Sequence, residues 1–188
     1  VLEAEGVRVA VLAQPDWHDA EAFRAMGRPR LGVFIGAGNL DSMVAHYTAA
    51  KRRRSEDFYS PGKRTGCRPD RAAIVYCNRA REAFGPDMPI ILGSLEASLR
   101  RFAHYDYWDD AVRRAILFDA PADLLVYGMG EAATIEIAHR LKKKQSVRTM
   151  TDIPGTGYIT RDPSVCKFDH ITLPSFEDVR DDKRLYAE

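Results

Sequence analysis

PIILGSLEASLRR, Pro89–Arg101, is the stretch whose reading decides the fold. Ile90–Leu92 is a short apolar run that starts after a proline and stops at Gly93-Ser94. Glu96, Ser98, Arg100 and Arg101 follow at once and are candidate ligand contacts beyond the strand end. An uninterrupted apolar run of this length suits a strand covered on both faces, where no alternation of polar and apolar residues is needed. Arg8–Leu12, Gly32–Ile35 and Leu124–Tyr127 repeat the pattern, each bounded by Gly, Pro or Asp. Helical patterns lie between them over Asp19–Met26, Asp41–Lys51, Asp70–Phe84, Trp108–Phe118 and Glu131–Lys144. In Asp70–Phe84, the residues Ala73, Val75, Tyr76, Ala80 and Ala83 fall near one face, and Gly85-Pro86 ends the run. Strands alternating with helices predict an open, mainly parallel α/β sheet with helices on both faces and right-handed crossovers.

With 188 residues the chain holds one sizeable domain, or one domain and an arm. Residues 1–150 carry the alternating pattern. After Gln145 it changes: TDIPGTGYITRDPS (Thr151–Ser164) predicts a small β excursion, and ITLPSFEDVRDDKRLYAE (Ile171–Glu188) a proline-started helix or arm. The first residues, Val1–Glu5, resemble the last turns of a helix with Gly6 as a left-handed C-cap. A strand and most of a helix are therefore expected to precede Val1. The formal charge of +1 sets up no global field toward nucleic acid or acidic lipid. No apolar run approaches the roughly 20 residues of a membrane span, and no export signal is visible. Three widely spaced cysteines make no disulfide framework, which points to a reducing cytoplasm.

Two strands end alike. VFIGAGNLDS places Gly36, Gly38 and Asn39 after a strand, and LVYGMGEAAT places Gly128, Gly130 and Glu131 after another. Such turns let backbone approach a ligand and present free N–H groups at a helix start. Asn39 or Asp41 would cap the first helix, and Glu131 would complement the dipole of the second. The third glycine of a dinucleotide fingerprint is missing from both, with Asp41 and Ala133 in its place, so NAD is not expected. Gly93-Ser94 makes a third such turn. In open α/β sheets ligands lie beyond the carboxyl ends of the strands, so these turns are expected on one rim. Tight turns and nothing more is the competing reading.

The dodecapeptide LRRFAHYDYWDD, Leu99–Asp110, leaves the third turn directly and is expected across or beside that rim. Arg100 and Arg101 are candidate anion contacts. His104, Tyr105 and Asp106 are candidate proton-transfer or hydrogen-bonding groups, and Tyr107 and Trp108 candidate contacts to a ligand or neighbouring domain. The alternative is a polar cap in which Arg100 or Arg101 pairs with Asp106 or Asp109 while Tyr107 and Trp108 plug the sheet edge. Metal signals are weak. Cys67, Cys77 and Cys166 stand 10 and 89 positions apart, matching no zinc or iron–sulfur spacing, and Cys77 reads as a small core residue. Asp16-Trp17-His18 offers the Asp-x-His of a cobalamin ligand motif, but Glu21 stands where its glycine belongs, so cobalamin is not expected. His139 reads as a helix-face residue.

VRVAVLAQPDW, AGNLDSMVAHYTA, RPDRAAIVYCNRAREAFG, PIILGSLEASLRRFAHYDYWDDAVRR, ADLLVYGMGE and ITLPSFEDV together resemble the N-terminal region of the YgiQ-type radical SAM proteins, over nearly the whole chain. The resemblance implies a Rossmann-like domain of the cobalamin-binding type, with Ser94 where the second glycine of a common LGG turn would stand. It further implies a following radical SAM barrel in the same polypeptide, whose Cys-x₃-Cys-x₂-Cys holds a [4Fe–4S] cluster and S-adenosylmethionine. No such spacing occurs in this chain. An accessory domain whose rim and dodecapeptide contact that barrel, of unknown substrate, is the leading expectation. A stand-alone module binding a phosphorylated ligand or corrinoid at the glycine turns is the second. Nucleic-acid binding through the basic run Lys51–Arg68 is the third, and the near-zero net charge weighs against it.

Overall fold

The computed structural model describes residues 1–187. Its strands are β1 (Val33–Ile35), β2 (Ile90–Leu92), β3 (His104–Asp106), β4 (Ala111–Arg113), β5 (Leu124–Val126) and β6 (Thr156–Gly157). Its α-helices are α1 (Ser42–His46), α2 (Ala72–Phe84), α3 (Ser94–Leu99), α4 (Glu131–Lys142), α5 (Phe176–Asp181) and α6 (Lys183–Ala187). The central sheet has the order β1-β2-β5-β6, with the first three strands parallel and β6 antiparallel to β5. All three residues of β2 and of β5 are buried, because both faces are covered. Ile90, Leu92 and Leu125 pack with Ala73, Tyr76, Cys77 and Ala80 of α2. Ile91, Leu124 and Val126 pack with Ala133, Ile137 and Leu141 of α4 on the opposite side. Each such apolar side chain stabilises the fold by about 1.5–3 kcal/mol on burial. The mainly parallel sheet between helices is as expected. Its strand order runs one way, so among the described residues the sheet has no point of reversal, the feature that forms a dinucleotide crevice in doubly wound folds.

Two expected elements are different. Arg8–Leu12 is not a strand: the run pairs with nothing in the sheet, and Val11 is 77% exposed. An apolar run makes a strand only where a sheet edge accepts its hydrogen bonds, and this run meets no edge. The turn before it matches its reading. Gly6 sits at φ 68°, with Gly6 N–H donating to Glu3 and Val7 N–H to Leu2, the bond pair of a helix C-terminal motif. Trp108–Phe118 is not a helix. β3 and β4 form an antiparallel hairpin across it, and Ile116–Phe118 is a single 3₁₀ turn. Asp106 Oδ1 accepts from the Trp108 and Asp109 N–H groups at 2.8 and 3.2 Å, and Asp110 then turns left-handed at φ 53°, so that Ala111–Arg113 pair back onto β3 instead of continuing a helix. Asp19–Met26 shrinks to a 3₁₀ turn at Ala22–Arg24, and Asp41–Lys51 to the five residues of α1. Within the segment after residue 150, β6 joins the edge of the main sheet and α5 packs against β4. Glu188, the last residue of the expected arm, lies outside the described residues.

Glu96 joins three helices. Its buried carboxyl group accepts from Ser42 N–H at the start of α1 (2.9 Å) and from Ala73 N–H at the start of α2 (3.0 Å). Ser42 Oγ in turn accepts from Ala72 N–H at 3.0 Å. The first turn of a helix has donors with no intrahelical partner, and here one acidic side chain from α3 satisfies two helices at once. Glu96→Ala is expected to cost about 3 kcal/mol, because two buried N–H groups lose their acceptor. Leu99→Ala, at a 60% exposed position of the same helix, is expected to cost less than about 0.5 kcal/mol. Urea denaturation of both variants reads the contrast, and equal effects would contradict it.

Asp106 gives a pH signature. Burial alone would raise its carboxyl, but Arg71 and the Asp109 and Trp108 N–H groups outweigh that and hold it below the usual carboxylate value. A depressed carboxylate stabilises the fold above its unfolded-chain value of about 3.9, and the contribution disappears as pH falls through the lower folded value. Asp106→Asn is therefore expected to be less stable than the parent at pH 7, with the gap narrowing below about pH 4. Parallel stability curves from pH 7 to 3 would contradict this.

Candidate functional site

β1, β2 and β5 are parallel, so their carboxyl ends share one rim, and each runs straight into a glycine turn. Gly36, Gly93, Ser94, Gly128, Gly130 and Glu131 come together there around an open cleft of about 410 Å³, with Phe34, Ile35, Ile91 and Val126 as its apolar wall. Gly130 is required by space: a Cβ would lie 2.6 Å from Val126 Cγ1. Gly128 is required by conformation, at φ 67°. Ser94 adopts φ 74° without being glycine, a strained backbone in the wall of the cleft. Its Oγ accepts from Ala37 N–H at 3.1 Å, and Ser98 Oγ donates to the Ser94 carbonyl at 2.9 Å.

The Gly36–Gly38 turn is held from both sides. Ser94 takes the Ala37 N–H, while Arg68 Nη1 donates to the Ala37 carbonyl at 3.3 Å. Arg68 is fixed by Asp57, which receives its Nη2 on both oxygens at 3.0 and 2.9 Å, with the two side chains 3% and 1% exposed. Burial opposes ionisation of Asp57, but the Ser60 hydroxyl, the Tyr59 N–H and Arg68 hold its carboxyl below the usual range. In the sequence Arg68 is only the end of a basic run. An Arg and an Asp in one long loop show no periodicity that would reveal them as partners. Asn39 is exposed, and Asp41 is the cap of α1, accepting from Met43 and Val44 N–H at 3.0 and 3.3 Å.

No residue of Leu99–Asp110 lines the cleft. Arg100 is turned inward to Asp41 and to the Glu96 carbonyl. Arg101 stays exposed, its guanidinium 4.9 Å from the Phe102 ring and 5.1 Å from the ring of Tyr127, the residue before Gly128. His104 is half-buried, with Nδ1 at 3.2 Å from the Phe102 carbonyl, and burial lowers its pKa. Tyr105 donates to Asp110 at 2.5 Å and accepts nothing from the rim. Asp106 pairs with Arg71 at 3.0 Å, and Arg113 stands 3.8 Å away. Tyr107 donates to the Ala49 carbonyl, and Trp108 packs on Tyr47 at 5.3 Å. The polar cap thus exists with Arg71 and Arg113 as its cations, in place of Arg100 and Arg101.

Three other cations of the basic run are engaged within the fold. Lys51 donates to the Trp108 carbonyl and lies 4.8 Å from the Tyr107 ring centroid. Arg54 donates to the Val44 and Tyr47 carbonyls, and Lys63 pairs with Glu56. His18 pairs with Asp16 at 2.6 Å, away from the cleft lining, and His139 with Glu5 at 2.9 Å. All three cysteines are free, and burial pushes the Cys77 thiol up to about 12. Among the described residues no three His, Cys, Asp or Glu side chains gather as a metal site, and no helix is long and apolar enough to cross a membrane.

Comparison with known proteins gives the chain its family. The model of the family described as Radical SAM N-terminal matches residues 1–188. A UPF0313 protein of Clostridium botulinum (strain 657 / Type Ba4) is 54% identical over 188 residues, covering 100% of this chain and 29% of the relative. A UPF0313 protein of Clostridium perfringens (strain 13 / Type A) is 51% identical over the same 188 residues, covering 28% of its length. The chain thus spans less than a third of the relatives it matches. No solved structure matches it. A full-length family match, on a parallel sheet whose glycine turns meet in one cleft, establishes that the chain belongs to the radical SAM N-terminal family.

Proposed function

We propose that residues 1–188 act as the accessory domain of a radical SAM enzyme, with the glycine-turn cleft forming one wall of the space in which the enzyme's substrate is held. The observation that carries this reading is the convergence of three strand-end turns in one cleft, in a chain of this family. The cleft's apolar wall excludes water from whatever it covers, which protects a reactive intermediate from stray hydrogen donors. Its polar side includes turn backbone, Ser94, Thr134 and the Glu131 carboxyl at the start of α4. That combination suits a ligand with an apolar body and a hydrogen-bond donor. A phosphate would meet the Glu131 charge at the position where a helix start otherwise favours it, which counts against the phosphorylated ligand of the module reading. The [4Fe–4S] cluster and S-adenosylmethionine belong, on this proposal, to polypeptide outside residues 1–188.

The test uses the full-length protein, reconstituted without oxygen with iron and sulfide and supplied with S-adenosylmethionine and a reductant. Cluster absorbance and release of 5′-deoxyadenosine are expected. Thr134→Trp, which fills the cleft from α4, is expected to keep the absorbance and change product formation by about tenfold. No cluster and no cleavage in the full chain would overturn the proposal. Cobalamin or nucleotide binding that Thr134→Trp abolishes, without cleavage, would put the stand-alone module first.

A further inference from the structure

Beside the cleft lies a second, apolar concavity. Phe102, at the foot of the hairpin, faces Ile171 and Leu173 of the C-terminal arm across an open groove of about 740 Å³, with Asp169 and His170 at its border. Ile171 is 87% exposed, and Phe102 and Leu173 are more than half exposed. Leu99 lies exposed on α3 just before Phe102. Large apolar side chains scattered singly over a surface need no explanation, but a set that lines one groove marks a contact.

The arm is built to hold its position there. Ser175 caps α5 in a reciprocal pair with Asp178, directly after Pro174. Val179 of α5 is buried, and α5 packs against β4. Tyr105 N–H donates to Tyr186 Oη at 2.8 Å, so α6, the last described helix, is tied to the same hairpin three residues from Phe102. A segment kept so close to an apolar groove, with Ile171 and Leu173 turned outward, leaves that surface uncovered by anything in residues 1–187.

We infer that this groove seats the remainder of the same polypeptide. The relatives are more than three times the length of this chain, since it covers 29% of them, so on the accessory-domain reading a large further domain is available to cover an apolar surface here. The groove is the apolar surface that adjoins the cleft: Arg101 stacks between Phe102 and Tyr127, and Tyr127 leads into Gly128. A domain resting on Phe102 and the arm would therefore roof the glycine-turn cleft as well. The inference builds on the accessory-domain reading and names the surface through which it works.

Hydrogen exchange by mass spectrometry on the full-length protein tests it. Peptides covering residues 99–105 and 166–173 are expected to be protected, and the double variant Ile171→Asp/Leu173→Asp to exchange there about tenfold faster. Peptides of β2 and α4 should keep their rates, because both substituted side chains are exposed here. Groove peptides exchanging freely in the unsubstituted full chain would overturn the inference. Protection that grows with protein concentration would also overturn it, because the occupant would then be a second copy. Protection without S-adenosylmethionine cleavage would leave the docking surface standing and remove only the enzymatic reading on which it was built.

Discussion

The buried carboxyl group of Glu96 is the constraint on which the glycine-turn rim depends. It stands one turn after the β2 strand end, and it anchors the first turns of α1 and α2 through Ser42 and Ala73 N–H. α1 follows the Gly36–Gly38 turn and α2 covers one face of the sheet. One side chain therefore fixes where two neighbouring strand ends stand relative to each other. Arg100 and Asp41 add a second tie between the same elements. Ser94 adds a third, at the cost of a backbone conformation that a serine adopts only under constraint.

Much of this was legible in the chain. β1, β2 and β5 were readable because buried parallel strands leave uninterrupted apolar runs, and α2 and α4 because each presents one apolar face and ends in a recognisable way. The turns were readable because glycine after a strand has few other uses. What was not legible depends on partners distant in sequence. Arg8–Leu12 has the composition of a strand and no edge to join. Trp108–Phe118 has helical spacing, which the left-handed Asp110 and the pairing of Ala111–Arg113 with β3 override. Glu96 and Arg100 follow a strand end as rim groups would, and both are turned inward to hold helices. The Asp57–Arg68 pair left no pattern at all.

The concentration of aromatic and charged residues in Leu99–Asp110 has a physical explanation. A two-stranded hairpin is marginal by itself, and this one is secured on both sides. Tyr107 and Trp108 fasten it to the segment after α1, and Asp106 to Arg71. Tyr105 fastens the C-terminal helices to it. The segment works as an adaptor between the sheet and the arm, which needs more specific side chains per residue than a solvated loop does. That role places Phe102 and Arg101 where the cleft and the apolar groove meet.

The central claim is that the glycine-turn rim faces another part of the same protein. Met129, 87% exposed between Gly128 and Gly130, reports on it directly. A photo-crosslinking benzophenone placed at that position in the full-length protein is predicted to attach to a peptide outside residues 1–188 of the same molecule. Attachment confined to residues 1–188, or found only between separate molecules, would contradict the account.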